Sequence, residues 1–213
     1  MSSINQQFDS LIFDLDGTLW DATGAVARAW QRAVEQVDYI QEEVTQEKVR
    51  SITGMTYDAI YEKLYPYLSP EQAKEFKALS AKEELAYMNE HGGDVYEGLE
   101  DTLQYLKGKY RLFIVSNCQT GYIETFFKHS GLEKYFEDHQ CYGTKNKPKA
   151  ENIQDVVERN QLKAPVYVGD TMGDFTASQG ANMPFIFCSY GFGQVEEGQI
   201  ATIHQFTDLK ELL

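Results

Sequence analysis

The sequence has few cysteines, and their arrangement excludes two common ways of holding a small fold together. Among its 213 residues there are three cysteines, an odd number, and no two of them form a Cys-x-x-Cys pair. A disulfide framework needs paired cysteines and a structural zinc site needs closely spaced ones, so we expect neither. This cysteine usage is typical of a reducing compartment, and we expect a cytoplasmic protein.

Positive charge and long apolar segments are also scarce. The chain has 19 Lys and Arg against 33 Asp and Glu, a formal net charge of −14. A chain this acidic repels nucleic-acid phosphates and anionic membrane surfaces, so we expect no nucleic-acid or membrane partner. No segment approaches the roughly 20 apolar residues of a membrane span. Residues 1–10 are polar and lack the apolar centre of a signal peptide.

Short apolar runs alternate with helical patterns along much of the chain. The runs have the length and β character of buried parallel strands, and they occupy residues 11–13, 112–115, 166–168 and 185–187. Helical patterns lie between the later runs. Strands that alternate with helices predict an α/β fold, a Rossmann-like doubly wound parallel sheet with helices on both faces.

Residues 21–91 have a different, almost wholly helical pattern. One of the predicted helices starts at Ser69-Pro70-Glu71, which combines an N-cap residue, a proline at the first helical position and an early acid. We therefore predict two domains. Residues 1–20 and 92–213 form the α/β core, and residues 21–91 form an all-helical cap domain inserted after the first strand.

Polar side chains stand at the ends of three predicted strands. Asp14, Ser116 and Asp170 each follow an apolar run directly or within two residues. Because ligands bind at the carboxyl ends of strands in open parallel sheets, we expect these side chains to share one site.

The segment Asp14-Leu15-Asp16-Gly17-Thr18 is the strongest local signal. A calcium-binding loop starting at Asp14 is excluded, because it requires glycine at Leu19 and glutamate at Ala25. An acidic turn remains the alternative, although the end of a buried strand is a costly place for two idle carboxylates.

Together with Ser116, a lysine-containing loop and the segment Asp170 to Asp174, this motif resembles the haloacid dehalogenase superfamily. The four signature segments occur in order over nearly the whole chain. The helical insertion is similar to that of phosphoglycolate phosphatase-like members, whose cap lies between the first and second motifs. The resemblance implies a phosphatase that uses Mg²⁺, held by Asp14, Asp16, Asp170 and Asp174.

The resemblance also implies a role for each catalytic residue. Asp14 attacks phosphorus and forms an aspartyl phosphate. Asp16 protonates the leaving oxygen and then activates water, while its carbonyl binds the metal. Ser116 donates a hydrogen bond to a phosphate oxygen, and a lysine pairs with Asp14. The pattern Lys-x-Glu-Asn-Ile selects Lys149 for that lysine. An alternative pattern, Lys-Pro-x-Pro followed by an acid, selects Lys147 with one substitution.

Four further positions have two interpretations each, and a fifth, Gly54, has one. Thr18 forms a hydrogen bond near the nucleophile or merely shapes a turn. Asn117 contacts the substrate or holds its own loop. Gly54 allows close approach of the cap, and Tyr57 contacts the leaving group or packs within the cap. Asp174 binds the metal through water or holds Lys149 in place.

Asp16 also separates two chemistries within the superfamily. Members that remove halide lack an aspartate two residues after the nucleophile, because halide needs no proton on leaving. We therefore predict a hydrolase of phosphate esters that acts on a small phosphorylated metabolite. The alternatives are a phosphomutase or an inorganic pyrophosphatase on the same site, and then a non-catalytic binding protein. We expect a monomer, with a dimer as the alternative.

Overall fold

The structure is a computed structural model that describes residues 8–213, so residues 1–7 of the predicted core domain lie outside the described residues. Numbered along the chain, the strands are β1 Ser10–Phe13, β2 Trp20–Asp21, β3 Asp94–Val95, β4 Arg111–Ser116, β5 Asp138–Cys141, β6 Pro165–Gly169, β7 Phe185–Cys188 and β8 Ala201–Ile203. Six of them form a parallel sheet in the order β5-β4-β1-β6-β7-β8. The chain moves outward from β1 on one side and then returns to fill the other. The predicted doubly wound α/β fold is therefore confirmed.

The α-helices are α1 Thr23–Val34, α2 Gln46–Arg50, α3 Tyr57–Leu64, α4 Pro70–His91, α5 Leu99–Lys107, α6 Tyr122–Ser130, α7 Tyr142–Lys145, α8 Lys149–Asn160, α9 Met172–Gly180 and α10 Leu209–Leu212. The first four follow β1 and form the predicted helical cap. Strands β2 and β3 pair antiparallel at the point where the chain enters and leaves this helical segment.

The sheet has an apolar layer on each face because successive side chains of a strand point in opposite directions. On β1, Leu11 and Phe13 belong to the larger buried cluster, whereas Ile12 packs in a second cluster with Ile153 of α8. A strand buried on both faces is the usual centre of a parallel sheet. This packing holds the end of β1 in a fixed position.

Helix α4 begins where the sequence predicts. Ser69 accepts a hydrogen bond from the backbone N–H of Gln72, and the Gln72 side chain accepts one from the Ser69 N–H. Such a capping box satisfies two donors that the first helical turn leaves free. The helix ends at His91, before Gly92 with a φ of +66°.

Two edge strands of the sheet were not predicted by the apolar runs of the sequence. Strand β5 consists of Asp-His-Gln-Cys and is only half-buried at its start, so it lacks an apolar run. Strand β8 has three residues. The C-terminal residues form a 3-10 turn, Phe206–Asp208, followed by the short helix α10. Among residues 8–213, no helix combines the length and the apolar composition needed to cross a membrane.

Candidate active site

The three central strands bring the predicted acidic and hydroxyl side chains to one edge of the sheet. Strand β1 lies between β4 and β6, and the Asp14 N–H continues the pairing with β6 by donating to the Val168 carbonyl at 2.9 Å. Asp14, Ser116 and Asp170 are all buried there. The sheet topology therefore collects residues from three distant parts of the chain.

Lys149 occupies the centre of this cluster. Its ammonium lies 2.7 Å from Oδ1 of Asp14 and 2.5 Å from Oδ1 of Asp174. The lysine is 6% exposed, and the two aspartates are 2% and 0% exposed. Buried charges persist only when they are paired and hydrogen-bonded, and this arrangement meets both conditions.

The charges at this site do not balance. Burial and the charge of Asp174 raise the pKa of Asp14 to about 6, while Lys149 acts in the opposite direction. Burial alone would lower the pKa of Lys149, but Asp14 and Asp174 outweigh it and hold that pKa well above its ordinary value. Burial, Asp174 and Asp14 also raise the pKa of Asp170 strongly. Three buried carboxyl groups thus share one ammonium, and a further cation would stabilise their ionised forms.

The same carboxyl groups fit a divalent metal ion. Asp14, Asp170 and Asp174 each offer an oxygen atom, and these atoms lie within 4.8 Å of one another. Oδ2 of Asp170 accepts a hydrogen bond from the Phe192 N–H at 2.7 Å, but its buried Oδ1 has no partner among the described residues. A hard oxygen ligand without a donor is what Mg²⁺ or Ca²⁺ would coordinate. Asp174 is the weakest of the three candidates, because Lys149 and Thr171 already contact its two oxygens.

Asp16 is held by two aromatic side chains. Nε1 of Trp20 and the hydroxyl of Tyr122 donate to its Oδ1 at 3.0 and 2.9 Å. Burial and the charge of Asp14 raise the pKa of Asp16 to about 7, although the Tyr122 hydrogen bond lowers it. Both donors contact the same oxygen, which leaves Oδ2 for another partner. A carboxyl group with a pKa near neutrality is suited to proton transfer.

Gly17 allows the first motif to pass close to Asp170. Its φ is +82°, and a Cβ atom at this position would overlap Oδ2 of Asp170. A side chain here would therefore encounter both backbone strain and a collision with a candidate metal ligand.

We expect Gly17→Ala to destabilise the protein more than Gly131→Ala. Gly131 also has a positive φ, +70°, but nothing lies within 4 Å of the Cβ it lacks. Gly131→Ala should cost only the left-handed backbone term, about 1–2 kcal/mol, and Gly17→Ala roughly a further 1–3 kcal/mol from overpacking. Denaturant unfolding of both variants measures the difference. Equal losses would show that the close approach to Asp170 is not required.

A cavity of about 70 Å³ lies between this cluster and the cap. Its walls include six of the predicted residues, namely Asp14, Asp16, Ser116, Asn117, Gly54 and Tyr57. Much of the remaining wall is apolar, from Val26, Val49, Ile52 and Ile60. A mostly apolar cavity with a few convergent polar groups is typical of a small-molecule site.

Gly54 and Asn117 connect the cap to the core. Nδ2 of Asn117 donates to the Gly54 carbonyl at 2.8 Å. Gly54 has a φ of +85°, and a Cβ there would lie 3.1 Å from the side chain of Thr171. Asn117 thus links the end of β4 to a loop of the cap, and the backbone of Gly54 lies close to Thr171 of the core.

Two predicted residues belong neither to the cavity wall nor to the cluster of Asp14, Lys149, Asp170 and Asp174. Thr18 is buried, but its hydroxyl has no hydrogen-bond partner in residues 8–213 and it does not line the cavity. Lys147 is half-buried on the surface, 3.3 Å from Asp155. The structure therefore places Lys149, and not Lys147, against Asp14.

Sequence reasoning missed a buried glutamate in the cap. Glu84 of α4 is 3% exposed and lines the cavity. Its carboxyl group accepts hydrogen bonds from Trp30 Nε1 at 2.6 Å, the Tyr57 hydroxyl at 2.6 Å and Gln119 Nε2 at 2.9 Å. A signal was available, since Glu84 lies at helical spacing on the buried face of α4 that includes Phe76, Ser80, Tyr87 and Met88.

The fold and this site are those of a hydrolase with a buried aspartate at the end of its first core strand. A family model described as haloacid dehalogenase-like hydrolase matches residues 11–188, so the chain belongs to that family. The predicted family and the predicted hydrolase are confirmed.

Curated relatives cover nearly the whole chain. A phosphoglycolate phosphatase of Vibrio parahaemolyticus is 25% identical over 203 residues, covering 90% of this chain and 88% of the relative. A 5'-nucleotidase of Pseudomonas aeruginosa is 21% identical over 199 residues, covering 90% and 87%.

Solved structures share the fold. A haloacid dehalogenase-like hydrolase from Streptococcus pneumoniae superimposes with a TM-score of 0.84 at 18% identity, covering 96% of this chain and 97% of that one. CbbY from Rhodobacter sphaeroides, determined with xylulose-1,5-bisphosphate, gives a TM-score of 0.78 at 16% identity, covering 95% and 96%.

Proposed function

We propose that the protein is a Mg²⁺-dependent phosphohydrolase that cleaves small phosphomonoesters through an aspartyl phosphate on Asp14. One observation carries the proposal: Lys149 lies buried between Asp14 and Asp174, and the neighbouring Asp170 has an Oδ1 atom without a hydrogen-bond partner in residues 8–213. An acidic cluster with too little positive charge would attract both a metal ion and the phosphoryl group that accompanies it.

In the first half-reaction, an Asp14 oxygen forms a bond to phosphorus as the ester oxygen leaves. Asp16 gives its proton to that leaving oxygen from Oδ2, while Trp20 and Tyr122 hold Oδ1. Lys149 orients the Asp14 carboxylate and offsets its charge. Mg²⁺ would be held by Asp14, the Asp16 carbonyl and Asp170. It would supply the positive charge that lets a carboxylate approach an anionic phosphate.

The second half-reaction reverses the role of Asp16. Its carboxylate now takes a proton from water, whose oxygen attacks phosphorus and displaces the Asp14 oxygen. Inorganic phosphate is released, and both aspartates return to their starting states. Ser116, at the end of β4 and in the cavity wall, would donate to a phosphoryl oxygen in both steps.

The cavity favours a small leaving group. A volume of about 70 Å³ holds only a few non-hydrogen atoms beside the phosphoryl group. The names of two relatives, a phosphoglycolate phosphatase and a 5'-nucleotidase, offer starting points for a substrate panel.

The residues of the cavity wall do not support the phosphomutase hypothesis. It requires a cation to hold a second phosphate, and no Lys, Arg or His is present in the cavity wall that residues 8–213 form. Arg50 instead pairs with Asp21 at 2.6 Å.

Phosphate release from a panel of phosphomonoesters and pyrophosphate, assayed with Mg²⁺, tests the proposal. We expect turnover of small monoesters and little of pyrophosphate. A wild-type protein that releases phosphate from no member of the panel would contradict it.

We further expect Asp170→Asn to weaken metal activation. The change replaces a charged ligand with a neutral one of the same shape, and the concentration of Mg²⁺ for half-maximal activity should rise on the order of tenfold or more. Asp155→Asn is the matched control, because Asp155 lies on the surface paired with Lys145 and Lys147. Full activity in a chelator, or equal metal dependence in both variants, would exclude a metal at Asp170.

A further inference from the structure

We propose that Glu84 makes the cavity select the leaving group of the ester by its charge. Alcohols that carry an ammonium group are preferred over neutral alcohols. Neutral alcohols are preferred over alcohols that carry a carboxylate or a second phosphate. This inference rests on the proposed phosphohydrolase function, since it concerns the part of the ester that leaves.

The hydrogen bonds of Glu84 indicate an ionised carboxylate. Trp30 Nε1 and Gln119 Nε2 can only donate, and Tyr57 donates through its hydroxyl. Burial raises the pKa of Glu84, but the hydrogen bonds from Tyr57, Gln119 and Trp30 act in the opposite direction and favour the ionised form. Three donors also leave part of the acceptor capacity of the two carboxylate oxygens unused.

The remaining wall supplies no compensating positive charge. The carboxyl groups in the cavity wall are those of Asp14, Asp16 and Glu84, and no basic side chain accompanies them in the residues that the structure describes. Lys149 is engaged by Asp14 and Asp174. Arg50 pairs with Asp21, outside the cavity. A phosphoryl group can use Lys149 and the metal, but a second anion on the leaving group would face Glu84 without a counter-ion.

The same surroundings suit an amine. An ammonium group would donate to the free acceptor capacity of Glu84 and lie against the aromatic rings of Trp30 and Tyr57, which also line the cavity. Aromatic faces and a buried carboxylate are the usual elements of a site for a small organic cation. A neutral hydroxyl could use the carboxylate but gains no charge interaction.

Three esters of similar size test the order: 2-aminoethyl phosphate, propyl phosphate and 2-phosphoglycolate. We expect kcat/KM to fall in that sequence, with the ammonium ester at least roughly tenfold above the carboxylated one. In Glu84→Gln this ratio should fall on the order of tenfold, because the shape remains and the charge does not. Gln119→Met is the matched control: it removes one donor to Glu84 but keeps the carboxyl group, and it should change the ratio much less than Glu84→Gln does.

Binding of the same esters to Asp14→Asn with Mg²⁺, measured by calorimetry with and without Glu84→Gln, separates this inference from the proposed function. If the affinities for the three esters follow the predicted order but the wild-type protein turns over none of them, the hydrolase proposal is overturned and the role of Glu84 is supported. Turnover that is fastest for 2-phosphoglycolate, or a ratio that Glu84→Gln leaves unchanged, would overturn the role of Glu84 and support the hydrolase. A ratio that changes equally in Gln119→Met would also overturn it.

Discussion

Asp14→Asn will reduce phosphate release by a factor on the order of 10⁴ to 10⁶, the usual effect of removing a catalytic nucleophile. Asparagine keeps the shape of the side chain but has no negatively charged oxygen to attack phosphorus. The fold should survive, because the change removes one of three buried carboxyl groups that share the single ammonium of Lys149. Steady-state phosphate release, together with an unfolding curve for each protein, measures both effects.

The covalent intermediate provides a second readout for the same prediction. Acid-quenched wild-type protein, examined by intact mass spectrometry during turnover, should carry one additional phosphoryl group, and Asp14→Asn should carry none. Asp16→Asn is the informative comparison. With an ester whose leaving group needs no proton, it should form the adduct and hydrolyse it slowly, because the base that activates water is missing. Phosphorylation of Asp14→Asn would rule out Asp14 as the nucleophile.

Lys149→Met will cost about 3–5 kcal/mol of stability, because it leaves buried carboxylates without their ion-pair partner. Lys149 contacts both Asp14 and Asp174, and all three side chains are at least nine-tenths buried. Activity should fall roughly 10²- to 10³-fold, as expected when a preorganised electrostatic contact is removed. Denaturant unfolding and kcat/KM measure the two losses, and added Mg²⁺ should recover part of the stability.

Lys147→Met is the matched control for that experiment. Lys147 is only two positions away, but its ammonium lies on the surface near Asp155 and Glu151. Exposed ion pairs contribute about 0–1 kcal/mol, so this variant should unfold almost like the wild type and keep its activity. Similar losses in both variants would mean that the buried contact with Asp14 has no special importance.

The sequence alone predicted much of the core, because its signals are local. Apolar runs predicted the four strands at the centre of the sheet, and a capping motif predicted the start of α4. The edge strands β5 and β8 escaped this reasoning. An edge strand is covered less completely, so it needs no continuous apolar run, and the polar residues of β5 carried no β signal.

The candidate site divides in the same way between what is local and what is not. The sequence determined which side chains stand at the ends of the core strands, since Asp14 and Ser116 directly follow apolar runs and Asp170 follows one within two residues. Tertiary structure decided which lysine joins them, because Lys149 and Asp14 are 135 positions apart. Tertiary structure also decided that Glu84 faces the cavity. It likewise decided that Gln119 of the core donates a hydrogen bond to Glu84, although the two residues are 35 positions apart. A pattern within one helix shows which face is buried, but only the packing of the cap on the core shows what that face meets.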